Sequence, residues 1–350
     1  MNKFTQLITL LCFATAFTAC KKDSDPIIIT PASTGSKLTL NGLIANESGA
    51  AAGNSVYVDF STDKQTSVAR TSWDLGFYSG AEFKVILNHT VGATAIELAG
   101  NDLTKITAAD TTALALSGNL SLGQGAGGFT YIDPIEGDAT AYLAGTVIKT
   151  ISATDADNRV YIVNRGGTTG WQKIRVIRSG TGYTLQYAKI NEQTFKTLTV
   201  AKDGAFNFKY VSFTTGAVDV EPAKANWDIE WTLATYKANA TIPYTFSDFV
   251  LINFVGGVTA AEVIVADSKV SFDDFAEANL TGKLFVGKRE VIAGNWRITS
   301  GTPIGVKTDR FYLVKDGAGN IYKLKFVSFH PNDAGVRGKP VVEYKLVKKA

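Results

Sequence analysis

The chain is poor in the side chains that most often bind metals or carry out catalysis. Its 350 residues include 2 cysteines, 2 histidines and 1 methionine. Both cysteines, Cys12 and Cys20, lie in the first twenty residues. The remainder therefore has no disulfide, no thiolate metal ligand and no thiol nucleophile. The one methionine is Met1, which leaves none in the folded part. No His-Glu-x-x-His, nucleophile elbow or paired-carboxylate motif occurs, so the reading is non-enzymatic. Proline is scarce (8) beside glycine (33). The net charge of +3 forms no basic stripe, which argues against nucleic acid as a partner. Beyond residue 20 no apolar run is long enough to span a bilayer as a helix.

What is present points to β-structure. Hydrophobic residues make up 45% of the chain and aromatics 11%, with many Thr and Val and with Gly, Asn and Asp between the apolar runs. At the N-terminus, Lys3 precedes an apolar run from Leu7 to Phe17 that ends in Phe17-Thr18-Ala19-Cys20. The pattern resembles the lipobox of bacterial lipoproteins. Residues 1–19 then read as a signal peptide and Cys20 as the lipidated first residue, anchored to the membrane by lipid alone. Lys21-Lys22-Asp23-Ser24-Asp25 resembles a surface-export signal, and residues 20–36, with Pro26 and Pro31, read as a tether.

The strongest internal feature is a repeat. Ser72-Trp73-Asp74-Leu75-Gly76-Phe77 matches Asn226-Trp227-Asp228-Ile229-Glu230-Trp231, 154 positions on. Tyr57-Val58-Asp59-Phe60-Ser61-Thr62 matches Tyr210-Val211-Ser212-Phe213-Thr214-Thr215 at an offset of 153. Arg159 to Val163 matches Arg310 to Val314, and Lys173 to Val176 matches Lys323 to Phe326, with turn residues between. The order of landmarks predicts two tandem β domains, 37–200 and 201–350. Strand alternation would put Trp73, Leu75 and Phe77 on one face, and likewise Trp227, Ile229 and Trp231. Short helices are expected at Ser271 to Glu277, with Ser271 as N-cap, and within 102–116.

Candidate binding residues are few. By alternation His89 shares a face with Phe83, Val85 and Leu87, and His330 with Leu324, Phe326 and Ser328. Each is either a structural histidine near a rim or a metal or haem axial ligand. Trp171, Trp231 and Trp296 are core residues or a stacking platform for a planar or carbohydrate ligand. Gly123-Gln124-Gly125-Ala126-Gly127-Gly128 satisfies G-x-G-x-x-G, but the strand-like Phe129-Thr130-Tyr131-Ile132 follows it. That order leaves no helix N-terminus for a pyrophosphate, and the stretch reads as a loop. Asp110-Thr111-Thr112 resembles an O-glycosylation acceptor and equally an ordinary polar turn.

The lipobox, the Tyr-Val-x-Phe strand, the Trp-Asp-[Leu/Ile] strand and the late Arg310-Phe311-Tyr312-Leu313-Val314 hairpin together resemble the HmuY family. Residues 206–350 carry the resemblance best, and 37–200 look like a diverged copy. It implies an all-β surface lipoprotein of the outer membrane that binds haem between β fingers and passes it to a TonB-dependent receptor. Best-known members clasp iron with two histidines or with methionine. This chain departs there, with one histidine in each half at non-equivalent positions. A His from each half, His with Tyr, or haem held without strong axial bonds remain open. The alternative readings are a surface module for glycan or peptide, or a docking accessory without a small ligand.

Overall fold

The computed structural model describes residues 31–112, 120–122, 128–165 and 170–350. The expected signal peptide, Cys20, most of the tether and Gly123 to Gly127 lie outside these residues. Residues 32–350 form one compact unit. It is an antiparallel all-β fold, with short α-helices that include α1 (Ala139–Ala144) and α2 (Val265–Ser268) and a helical turn at residues 109–112.

Strands are numbered in chain order. One five-stranded sheet runs β1 (Gly35–Thr39), β20 (Val341–Lys348), β19 (Ile321–Ser328), β18 (Arg310–Lys315), β15 (Thr259–Ile264). A second runs β10 (Lys196–Val200), β9 (Gly182–Lys189), β8 (Gln172–Ser179), β7 (Val160–Asn164), β6 (Thr94–Glu97). The two four-stranded sheets are β12 (Gly216–Val218), β11 (Phe208–Ser212), β4 (Leu75–Tyr78), β5 (Val85–Leu87), and β3 (Lys64–Ala69), β2 (Asn54–Asp59), β13 (Ile229–Lys237), β14 (Pro243–Ile252). Each sheet of the first kind has the strand order of its fellow, and so does each of the second.

The halves exchange their leading strands. β2 of the first half pairs with β13 of the second, and β11 of the second pairs with β4 of the first. β1 closes the sheet of β20, while β10 closes that of β9. β1 starts at Gly35, inside the expected tether, because Gly35 and Ser36 already pair with Lys345 and Tyr344. The position expected for a domain boundary, 200/201, is thus crossed by β-ladders in both directions.

The exchange is locked by equivalent contacts. Asp74 accepts from the Phe213 amide at 2.7 Å, and Asp228 from the Phe60 amide at 2.8 Å. Tyr210 lies edge-on to Trp73 with centroids 4.8 Å apart, and Tyr57 edge-on to Trp227 at 5.1 Å. Asn88 donates to the Trp73 carbonyl at 2.8 Å, and Asn253 to that of Trp227 at 2.9 Å. The buried ammonium of Lys173 donates to the Ile106 carbonyl, and that of Lys323 to the Phe275 carbonyl. Burial pulls both lysines below the usual range.

These contacts correct the expected faces. The strands begin after the aspartates, at Leu75 and Ile229. Leu75 and Phe77 pack in the core of the first half, and Ile229 and Trp231 in that of the second. Trp73 and Trp227 turn instead into a shared central cluster with Tyr57 and Tyr210. The aspartate between them takes its hydrogen bond from the exchanged strand, and alternation breaks there. The expected helix at Ser271 is only a turn followed by a 3-10 segment, Glu277–Leu280. Ser271 does contact Asp274, but Phe272 and Phe275 are both drawn onto Phe311. Within 102–116 a 3-10 turn, Leu103–Lys105, is followed by the expected helix at residues 109–112, and residues 113–119 lie outside the described set.

Asn253 is fully buried and makes four hydrogen bonds: it donates to Lys224 and Trp227 and accepts from Asn207 and Gly256. Asn253→Ala leaves these partners unsatisfied and is expected to cost about 2–3 kcal/mol. Urea unfolding with an unchanged midpoint would reject that role.

Candidate functional site

The histidine nearest the centre is His89. β5 ends at Leu87 and the chain turns at Asn88, whose side chain accepts from the Thr90 amide. His89 therefore lies past the strand's end, though it still lines one cavity with Leu87. It borders cavities on both sides, one with Ile86 and one with Leu87, with its ring 6.1 Å from Trp73 and Nε2 3.7 Å from Glu230. With Glu221, Trp227, Glu230 and Arg289 it walls a cavity of about 50 Å³ between the halves. Both His89 ring nitrogens, Trp227 Nε1, Glu230 Oε1 and Arg289 Nε find no hydrogen-bond partner among the described residues. Burial pushes Glu221 up to about 8, against the Phe208 amide and Asn207, which pull it down. The space suits a few water molecules and is far too small for a tetrapyrrole.

The other sequence candidates are dispersed. His330 follows β19, and its Nδ1 accepts from the Asn332 amide at 3.3 Å as the cap of a 3-10 turn, Pro331–Asp333. It does not continue the alternating face of β19, because the ladder is irregular between Phe326 and Ser328. No hydrogen bond, ring contact or cavity wall joins it to His89 among the described residues. Trp231 and Trp296 are 0% and 1% exposed, and Trp296 stacks on Phe326 at 4.0 Å. Neither offers a face to a ligand. Trp171 is half-buried against the cluster of Leu103 and Ile106.

A larger open cleft of about 720 Å³ lies in the first half, between the turn after β4, helix α1, Thr150 and Arg178. Tyr78, Phe83, Leu143 and Ala144 supply apolar lining. Two cations are fixed at neighbouring residues. Lys84 Nζ donates to Thr150 Oγ1 at 2.6 Å, and Arg178 Nε to the Ile151 carbonyl at 2.7 Å. The Ile151 amide in turn donates to the Phe83 carbonyl at 3.0 Å. The Arg178 guanidinium lies 4.2 Å over the Phe83 ring. This volume falls in the range of small-molecule and cofactor sites.

A model of the HmuY family, described as HmuY protein, matches residues 51–344. The chain belongs to the HmuY family. Searches of curated proteins and of solved structures each found no match. HmuY proteins are a family of haem-binding surface proteins and not an enzyme family. In this HmuY protein the described cavity of tetrapyrrole size holds neither His89 nor His330. Sequence reasoning passed over Phe83, Lys84 and Arg178. The one available signal was Lys84 itself, a lysine inside the apolar run Phe83 to Leu87.

Proposed function

We propose that this protein captures haem or a related tetrapyrrole at the outer-membrane surface, held there by lipid on Cys20, and hands it to a TonB-dependent receptor. The observation that carries the reading is the family match across residues 51–344. The open cleft supports it with room for a planar ligand beside two cations. Among the described residues no helix is long and apolar enough to cross a membrane, which is compatible with a lipid anchor. A glycan module built on Trp231 and Trp296 gains no support, because both are buried.

Haemin titrated into the chain from Lys21 onward is expected to give a saturable, red-shifted Soret band at micromolar concentration. The absence of any spectral change would reject capture. His89→Ala and His330→Ala belong in the same titration. A tenfold loss with either would make that imidazole an iron ligand.

A further inference from the structure

The cleft carries unused binding capacity of one chemical kind. Lys84 is 5% exposed, yet its ammonium, with three donors, makes one hydrogen bond. The nearest carboxylate, Glu82, stands 3.9 Å away on a largely exposed side chain. Arg178 spends Nε on the Ile151 carbonyl, and its terminal amines find no acceptor among the described residues. A nearly buried, under-satisfied ammonium beside a half-free guanidinium calls for an anion, and a guanidinium fork matches a carboxylate. Next to these charges, and beside Glu82 and Thr140, the apolar lining is Ala139, Leu143 and Ala144, while the Phe83 ring is already held by Arg178 at 4.2 Å and Lys202 at 3.8 Å.

The same lining is poor in the usual axial ligands of haem iron. It contains no His, Met or Cys, and its single phenol is Tyr78. The Tyr78 hydroxyl lies against Gly80, where a β-carbon would come within 2.4 Å of it. Its ring packs on Phe208 at 5.6 Å. Burial, and then the charge of Glu82, raise the Tyr78 phenol above its usual range, away from the tyrosinate that binds iron.

We infer that the cleft takes a planar, carboxylate-bearing tetrapyrrole by its ring and its acid groups, with no bond to the metal. Arg178 and Lys84 pair the carboxylates, and the apolar lining takes the ring. The inference rests on the capture reading above and adds that the site is indifferent to iron.

The test uses the chain from Lys21 onward, with haemin and metal-free protoporphyrin IX as probes. The two dissociation constants are expected to agree within about threefold, since no metal bond distinguishes the probes. Arg178→Gln combined with Lys84→Gln should weaken both by about ten- to a hundredfold, as for the loss of charge-assisted pairs. Thr140→Trp, which fills the cleft from the exposed face of α1, should abolish both while leaving the thermal transition in place. Haemin binding without protoporphyrin binding, or affinity for both unchanged in these variants, would overturn the inference while capture stands. If neither probe binds the unaltered protein, the capture reading itself falls.

Discussion

Cutting the chain in the loop between β9 and β10 is expected to leave neither half with a cooperative monomeric fold, and mixing the halves is expected to restore one. Each half keeps its own leading strands but has lost those that complete its sheets. Without the first half, β13 loses β2 and β20 loses β1. The second core also loses Leu40, Val56, Val58 and Phe60, all 0% exposed in the intact protein. At about 1.5–3 kcal/mol for each buried side chain, this loss is comparable to the whole stability of an ordinary domain. Without the second half, β4 loses β11 and the first core loses Val211 and Phe213. The halves should remain unfolded or pair through exchanged strands, as domain-swapped chains do. Size-exclusion chromatography and thermal melting check this. A monomeric C-terminal half with a sharp transition would reject it.

That expectation could not be drawn from sequence, although its ingredients were visible. The Tyr-Val-x-Phe and Trp-Asp landmarks marked the strands and their repetition. They could not say which copy pairs with which, because Tyr57 to Phe60 and Tyr210 to Phe213 present nearly the same edge to a partner. Local pattern specifies a strand, and only tertiary packing selects its neighbour. The same limit governs the cleft. Lys84, Thr150 and Arg178 meet through three separate elements, so no window of sequence contains the site. His89 was found because histidine is rare here. It sits beside Leu87 as alternation expects, but at the junction of the halves and not at a rim, because strands of the second half cover it.

The symmetry of the exchange fails at one point, and the failure sets the pH response. Asp74 and Asp228 occupy equivalent places and accept equivalent amides. Asp74 also meets Arg165, through both Nε and Nη2. Among the described residues no cation pairs with Asp228, and Asp59 and Asp316 add like charge to it. Burial raises both carboxyls, but at Asp74 the Phe213 amide and then Arg165 oppose it. Asp228 is pushed up to about 8 by burial, despite the Phe60 amide. The native state therefore holds a proton that the unfolded chain releases near pH 4. The stability this contributes is present in full below that pH and is lost as pH rises towards 8. Glu221, also raised to about 8, adds a loss of the same sign.

Asp228→Asn keeps an acceptor for the Phe60 amide and has no proton to lose. It is expected to match the unaltered protein at pH 4 and to exceed it by about 2–4 kcal/mol at pH 9. Asp74→Asn should do the opposite at neutral pH. It strands Arg165, 15% exposed at the side chain, without its counter-charge and is expected to cost about 3–5 kcal/mol. Urea midpoints for both variants at pH 4, 7 and 9 decide the matter. If Asp228→Asn proved less stable than the unaltered protein at pH 9, Asp228 would have to be ionised in the fold.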